Sequence, residues 1–528
     1  MQASPTTGTD VPRLSWWAVL GVLLLALALR VVCWANTPLI GTDSARFLRV
    51  AERMNDGDYA AALTDRYHPL TAFLIAQVDR VHGVFAAGDT PTQQRQRRES
   101  SAFFLTLTCG LLVVLLLMRI SHWVVPQLPP WCTGLLAACQ PYLIRSAADI
   151  MSDTVFLALF LAALHEGLRF GRRPGWGAAL LAGTLVGAAY LARPEGLLLA
   201  AVLPLFWAWE LRQQQRAWLP ATAGFLLVTL AVASPYAFAI SSLAGEWTFT
   251  LKKQLLTAGV PGALDIHELR AAFLGIDPTA VGTIFHRWLT TATEGLGVPA
   301  ALCLLALAVQ RLRLGYGGPL LGVTAVGMCL VLLRLAEIVG PTYISRRHVF
   351  TLMALSLPYA ALGLYWGGAW LARCLRSGAA QTSSSQTSPS RTSPSQFWGL
   401  VVVAVAALCL VPKGIKEQRT DQGAEKLAGE FILAQQGPGA VVVTTREKVA
   451  YYAQGDHVAI VATAPAIDAY DRAWVVFYRQ EIDDKCLEFT PWAARRSQQQ
   501  PGLRFIRSFR GTSNRYRDLQ LFLWEREG

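Results

Sequence analysis

The sequence predicts a polytopic α-helical membrane protein: a bundle of about 11 transmembrane helices, amphipathic helices beside it, and a small α/β domain at the C-terminal end. Three observations predict it. Of 528 residues, 53% are hydrophobic and only 16% charged, with a mean hydropathy of +0.35, which is the balance of a chain solvated mainly by lipid. Apolar runs able to cross the roughly 30 Å of a bilayer core recur as far as Val411. Beyond Gly414 the pattern changes to short strand-like and helical segments. A soluble multidomain chain, a disordered chain and a disulfide scaffold are excluded, since nine Cys are a sparse set and all but Cys486 lie in or beside apolar runs.

In chain order the runs are Leu14–Trp34, Phe103–His122, Trp131–Ala147, Asp153–Phe170, Trp176–Leu191, Gly196–Leu211, Trp218–Ile240, Leu296–Gln310, Gly318–Val339, Val349–Leu371 and Phe397–Val411. The first follows Arg13 and lacks a small-residue cleavage site, so it reads as a spanning helix and not as a removable signal. With a cytoplasmic N-terminus, the short loops carrying Arg119, Arg169, Arg172, Arg173, Arg212, Arg216, Arg311, Arg313, Arg373, Arg376 and Arg391 all fall on the cytoplasmic side. An odd helix count then puts the tail outside. Of the net charge of +12, almost none belongs to the tail, which holds 16 basic and 15 acidic residues from Gly414 onward. The excess therefore marks membrane topology and gives no reason to expect nucleic acid as a partner.

Residues 1–376 form the predicted membrane module, with two long external loops at 35–101 and 241–295. In the first, Phe47, Leu48, Ala51 and Met54, and then Leu70, Phe73, Leu74, Gln77, Val78 and Val81, recur at helical spacing and predict two amphipathic helices on the outer leaflet. Residues 377–396 are a Ser/Thr/Gln/Pro-rich cytoplasmic linker and 397–413 the last transmembrane helix. Residues 414–528 are the external α/β domain, with helices over Asp421–Gln435 and Glu447–Ala453 and strands at Ala440–Thr445, Val458–Ala462, Trp474–Tyr478, Phe505–Phe509 and Leu519–Trp524.

On this topology the ionisable residues gather at external helix ends: Asp43, Arg66 and His68; Arg145, Asp149 and Asp153; Arg193 and Glu195; Arg334 and Glu337; Arg346, Arg347 and His348. Charge at a membrane boundary is costly, so a cluster drawn from five segments points to a site for an anionic headgroup whose tail stays in lipid. Arginine suits that task, because its fork pairs bidentately with phosphate and stays protonated. Simpler roles stand beside this one. Asp43, Asp149 and Asp153 are placed to cap helices, Arg193-Pro194-Glu195-Gly196 makes an interface turn, and Arg346 or Arg347 can snorkel to headgroups. His68 can start its helix, and Arg334 with Glu337 has ion-pair spacing. Asp56-Gly57-Asp58 has a form that binds divalent metal in some sugar transferases, but it also makes a turn. Gly-rich phosphate loops, His-Glu-x-x-His and Gly-x-Ser-x-Gly are lacking from the sequence.

Gly41-Thr42-Asp43-Ser44-Ala45-Arg46-Phe47 after the first helix, then Tyr67-His68-Pro69-Leu70, resemble the first outer loop of the integral-membrane GT-C glycosyltransferases, in the branch of the protein mannosyltransferases and aminoarabinose transferases. Asp153, Arg193-Pro194-Glu195-Gly196 and Tyr343-Ile344-Ser345-Arg346-Arg347-His348 are similar to that family in order and placement. The chain departs from it where the family often has Asp-Glu and His-Pro-Pro, against Asp43-Ser44 and His68-Pro69-Leu70 here, which leaves the acceptor class open. The resemblance implies transfer of a sugar from a polyprenyl-phosphate carrier to a lipid, glycan or protein acceptor on the external face of a bacterial plasma membrane, with inversion. It implies Asp43 as base and Asp153 as a second catalytic carboxylate. Arg193, Arg346 and Arg347 would meet the donor phosphate, and Arg66, His68, Asp149, Glu195 and His348 are further candidate substrate contacts. No cofactor and no metal are expected. Two alternatives remain: a transporter or flippase of a lipid-linked glycan, and a metal-dependent oligosaccharide transferase or ligase.

Overall fold

The computed structural model describes residues 15–250, 278–297, 301, 316–339, 347–377, 394–444, 446–459, 470–478, 503–510 and 518–526, apart from 38, 61–62, 64, 66, 86–89, 213–217 and 420–421. Of these, α1 (Trp16–Ala35) is the first apolar helix, and α2 (Thr42–Asn55) and α3 (Leu70–Phe85) follow as the two amphipathic helices. The bundle continues through α4 (Pro91–Val124), α5 (Pro130–Cys139), α6 (Pro141–Ala148), α7 (Ser152–Arg172), α8 (Trp176–Ala192), α9 (Leu198–Arg212) and α10 (Leu219–Ala244). It is completed by α11 (Pro278–Leu296), α12 (Gly318–Val339), α13 (Phe350–Ser377) and α14 (Pro394–Ile415). Among the described residues, seven helices are long and apolar enough to span a bilayer and three shorter ones are apolar, each lying on a run picked out in the sequence. The protein is a multi-pass membrane protein. Most of the eleventh predicted run, Leu296–Gln310, lies outside the described residues.

Four expectations are corrected in detail. The run Trp131–Ala147 is two helices, because Pro141 has no N–H to continue the ladder and Gln140 takes an extended conformation there; its side chain accepts from the amides of Tyr142 and Leu143. Helix α4 begins well before Phe103, at the end of the predicted first loop. Thr90 Oγ1 accepts from the Gln93 amide and Gln93 Oε1 from the Thr90 amide, a capping box with Pro91 at the first helical position. The predicted loop 241–295 contains the 19-residue helix α11. Finally, α2 buries the expected Phe47, Leu48, Ala51 and Met54, but α3 turns Ala72, Ile75, Ala76 and Asp79 inward and leaves Phe73 and Val81 exposed. Small residues let α3 lie close against α2, and the bulky apolar side chains face outward.

The tail forms α15 (Gly423–Gln436), β1 (Val441–Thr444), α16 (Glu447–Tyr452), β2 (Asp456–Ala459), β3 (Arg472–Tyr478), β4 (Leu503–Arg510) and β5 (Asp518–Glu525). The sheet order is β2-β1-β3-β5-β4, with β2, β1 and β3 parallel and β5 antiparallel to both β3 and β4. The parallel half needs a crossover, which α16 supplies between β1 and β2. Tyr451 and Tyr452 of α16 are buried in one cluster with Phe47, Leu48 and Ile75, so the tail domain packs directly on α2 and α3.

Candidate functional site

The first turn of α2 places Asp43. Gly41, with an extended backbone, takes the N-cap position, so Asp43 stands inside the first turn, where the helix dipole favours a carboxylate. The Tyr67 hydroxyl donates to Asp43 Oδ1 at 2.6 Å, and Arg347 Nη1 pairs with Asp43 Oδ2. Arg347 lies in the turn that leads into α13. Its Nε and Nη2 donate to Asp153 Oδ2 at 3.2 and 2.9 Å. One guanidinium thus bridges a carboxylate at the head of α2 and another at the head of α7.

Asp153 is the second residue of α7, and Met151 holds the N-cap position; its side chain is buried to 5% exposure. Its other oxygen pairs with Arg193 Nη1. Arg193 follows α8 in extended backbone and turns back onto Glu195 in bidentate fashion, Nη2 to Oε1 at 2.9 Å and Nε to Oε2 at 3.2 Å. The 3-10 turn Pro194–Leu197 then leads into α9. Gly196 is required in this turn, since a Cβ there would fall 2.4 Å from the Tyr190 amide nitrogen. The chain Asp43–Arg347–Asp153–Arg193–Glu195 therefore joins four sequence segments in one alternating row of charge, with three carboxylates against two guanidiniums.

Burial alone would lower the basicity of Arg347, but Asp153 and Asp43 outweigh it and hold the guanidinium above its ordinary value. Its side chain is still 42% exposed, against 11% for Arg193. Of the two described arginines, Arg347 is the one a ligand can reach.

A second cluster fixes the other side of the α2 head. Asp149, just after α6, pairs with Arg419 Nη2 and accepts from Ser44 Oγ at 2.9 Å, while Ser44 Oγ accepts from the Gly41 amide at 3.1 Å. Arg419 Nη1 also donates to the Leu39 carbonyl at 3.1 Å. Here too the carboxylate more than offsets the burial that would depress the guanidinium. A Cβ on Gly41 would meet Ser44 Oγ at 2.9 Å and both Arg419 and Asp149 at 3.1 Å, so the knot closes only around glycine.

The sequence-derived candidates thus divide. Asp43, Asp153, Arg193, Glu195 and Arg347 meet in one row; Asp149 belongs to the neighbouring knot. His68 is 3% exposed and packs between the rings of Tyr190 and Tyr236, with centroids 5.2 and 5.1 Å away. His348 is half-buried next to Arg347, and Arg145 donates to the Lys413 carbonyl at 2.5 Å. Arg66 and Arg346 lie outside the described residues, as do the side chains of Arg334 and Glu337. Asp56-Gly57-Asp58 forms the turn that ends α2: Asp56 is its C-cap and Gly57 has φ 92°, the left-handed conformation glycine accepts without strain. Tyr67, Ser44 and Arg419 make contacts at the head of α2 that the sequence did not single out. Tyr67 had a signal, its place beside His68-Pro69; Arg419 had none.

An apolar cavity of about 390 Å³ lies among α11, α12 and α13, lined by Trp288, Leu321, Ala325, Leu352, Leu355 and Tyr359 among others. Leu352 is five residues beyond Arg347, about 8 Å along a helix.

Neither a protein-family model nor a curated protein sequence matches the chain. Solved structures do. ArnT from Cupriavidus metallidurans bound to undecaprenyl phosphate matches with a TM-score of 0.60 and 14% identity, over 96% of this chain and 98% of that one. The archaeal oligosaccharyltransferase AglB from Archaeoglobus fulgidus, in complex with an inhibitory peptide and a dolichol-phosphate, matches with a TM-score of 0.56 and 14% identity, over 96% and 74%. Both are GT-C membrane glycosyltransferases. With nearly the whole chain superposed, membrane helices and tail domain alike, this protein has the GT-C fold.

Proposed function

We propose that the protein is a glycosyltransferase that moves a sugar from a polyprenyl-phosphate carrier to an acceptor hydroxyl, with Asp43 as general base and Arg347 as the contact to the donor phosphate. The observation that carries this reading is the Arg347 bridge between Asp43 and Asp153 at the head of the helix that lines the apolar cavity. The cavity offers apolar surface to the first isoprene units of the carrier, and the exposed guanidinium a contact for its phosphate. The likeness to structures bound to undecaprenyl phosphate and dolichol-phosphate supports the same class of donor.

The chemistry follows from the geometry. An arriving phosphodiester draws Arg347 toward itself, while Asp153, anchored in turn by Arg193 and Glu195, keeps the guanidinium aimed. Asp43 then loses its cationic partner and stays oriented by Tyr67. The acceptor oxygen attacks the anomeric carbon from the face opposite the phosphate, its proton passes to Asp43, and the carbon–phosphate-oxygen bond breaks with inversion. The charge gathering on the leaving lipid phosphate is met by Arg347. The cation between Asp43 and Asp153 is the guanidinium itself, in the place a divalent metal would need, so this set of residues does not fit a metal there and no step is drawn through one. An acceptor side facing away from the cytoplasm agrees with the arginine-rich short loops, and a bacterial plasma membrane follows from the family resemblance alone.

The test is transfer of labelled sugar from a panel of polyprenyl-phosphate sugars by the purified full chain, with native membranes supplied as acceptor, with and without chelator. Transfer that survives the chelator and disappears in Asp43→Asn is the expected result. Lipid-linked glycan crossing proteoliposome membranes with no glycosidic bond formed would replace the transferase by a flippase.

A further inference from the structure

Residues 36–41 connect α1 to α2 and carry the chain to Asp43. Among the described residues, the hydrogen bonds this segment makes outside those two helices all run to residues from Ile415 onward. Asn36 Nδ2 donates to the Ile415 carbonyl at 3.1 Å, Arg419 Nη1 to the Leu39 carbonyl at 3.1 Å, and the Ile40 amide to the Tyr452 hydroxyl at 3.3 Å. Leu39 is 2% exposed and shares its buried cluster with Tyr451 and Tyr452. The bundle side of the segment is different. A cavity of about 290 Å³ lies there, lined by Trp34, Thr37, Leu39 and Ile40 and by Glu99 of α4 and Asp149 just after α6, among others. Protein interiors leave few voids larger than a water molecule, so the segment lacks on this side the close packing that would fix it. Its position is set from the tail.

Tyr452, the last residue of α16, is itself held firmly. It is 2% exposed, its carbonyl accepts from Arg95 Nη1 of α4 at 2.9 Å, and the Arg95 guanidinium and the Lys426 ammonium lie over its ring, 5.2 and 5.7 Å from the centroid. A phenylalanine would fill the same place in this apolar cluster. What the hydroxyl adds is a partner for the Ile40 amide, a backbone donor that has no other protein partner.

We infer that Tyr452 is a positioning residue for Asp43, and that the tail domain sets the place of the base through this hydroxyl. The inference rests on the transferase reading for what Asp43 does, but not for how Asp43 is held. The route is short. Ile40 is followed by Gly41, the N-cap of α2, and Asp43 stands in the first turn, so a shift of Ile40 moves the head of the helix and its carboxylate relative to Arg347 and Tyr67. Arg347, Asp153 and Arg193 lie on other segments. Loosening residues 36–41 therefore acts on the step in which Asp43 takes the proton and leaves the donor contacts in place, and small misplacements of a reacting group are costly in rate.

The experiment combines amide hydrogen exchange, read by mass spectrometry on the full chain in nanodiscs, with steady-state transfer from polyprenyl-phosphate sugars, for wild type, Tyr452→Phe and Tyr451→Phe. The last removes the neighbouring hydroxyl, which makes no hydrogen bond to residues 36–41 among the described residues. In Tyr452→Phe the amides of residues 39–44 are expected to exchange about tenfold faster, with α3, α15 and the sheet unchanged, and kcat to fall about fivefold while KM for the donor stays within about twofold. Tyr451→Phe is expected to match wild type in both. Wild-type exchange at 39–44 in Tyr452→Phe, or a rise spread equally over α3, α15 and the sheet, overturns the inference. So does a wild type that transfers sugar while Tyr452→Phe keeps its kcat or loses activity through KM alone. Faster exchange confined to this segment, in a chain that turns over no polyprenyl-phosphate sugar, would retain the anchor and reject the transferase reading instead.

Discussion

Arg347 and Arg419 both end beside the first turn of α2, and the contrast between them separates the proposed reacting centre from a structural clasp. Arg347 faces two side-chain carboxylates and keeps much of its own surface open, in a row where three carboxylates outnumber two guanidiniums. Arg419 faces one carboxylate and a backbone carbonyl, is less exposed at 25%, and leaves its neighbourhood neutral. An excess of negative charge around an accessible cation can exchange partners when an anion arrives. A satisfied neutral pair cannot do so without loss. Residue type and pairing are alike at the two places, so charge count and access make the difference.

The comparison breaks most sharply at Asp43. Asp43→Asn is expected to lower transfer about a thousandfold, with the thermal midpoint of the purified chain unchanged; an equal loss of stability would place Asp43 with the clasp. Arg347→Gln should lower turnover about a hundredfold, and Arg347→Lys should recover only part of it, because the ammonium keeps the charge but loses the fork. Steady-state kinetics on both variants decides this. Arg419→Gln or Asp149→Asn should instead cost about 1–2 kcal/mol of stability for a half-buried pair, read by chemical denaturation, with turnover reduced less than tenfold as the head of α2 loosens.

The smallest effect concerns pH. Both arginines are held above an already high value, so neither cluster titrates through its cations near neutrality. His457 supplies a slope instead. Burial and Arg49 hold it at about 4, below its ordinary 6.5, so between those values the unfolded chain binds a proton that the folded one refuses. Stability is full above pH 6.5 and declines as pH falls toward 4, by roughly 1 kcal/mol at pH 6. Denaturation of wild type and His457→Gln at pH 8 and pH 6 checks this, the variant showing the shallower dependence.

Much of this was legible because lipid imposes simple rules. Runs of apolar residues had to be helices, and the tail's elements fell within a residue or two of their expected places, apart from β2, because turn residues bracket them. The row of charge was legible in its members, since Asp43, Asp153, Arg193, Glu195 and Arg347 each stand at a helix end where a charge is too expensive to be idle. What stayed hidden was pairing. Nothing in the spacing says that Asp149, four residues from Asp153, turns to Arg419 of the tail, or that the inward face of α3 is Ala72, Ile75 and Ala76 and not its bulkier residues. Local periodicity ranks faces by hydrophobicity, and a helix beside both protein and lipid has two apolar faces to choose from. The packing of α2 against the tail domain was hidden for a related reason: its two halves lie far apart in sequence, Arg49 and the Gly455 carbonyl being separated by 406 residues.

The Arg347 bridge also fixes an order of events during synthesis. Asp43 and its arginine are 304 residues apart, so the ribosome delivers Asp43, Asp153 and Arg193 to the membrane long before the cation that joins the first two. Until Arg347 arrives, Asp153 has only Arg193 as its cation and Asp43 lacks the guanidinium that joins the two carboxylates. The bridge between the heads of α2 and α7 closes only once the turn before α13 is in place. The centre matures late in biogenesis, and a chain arrested before that helix holds most of the fold without its central contact.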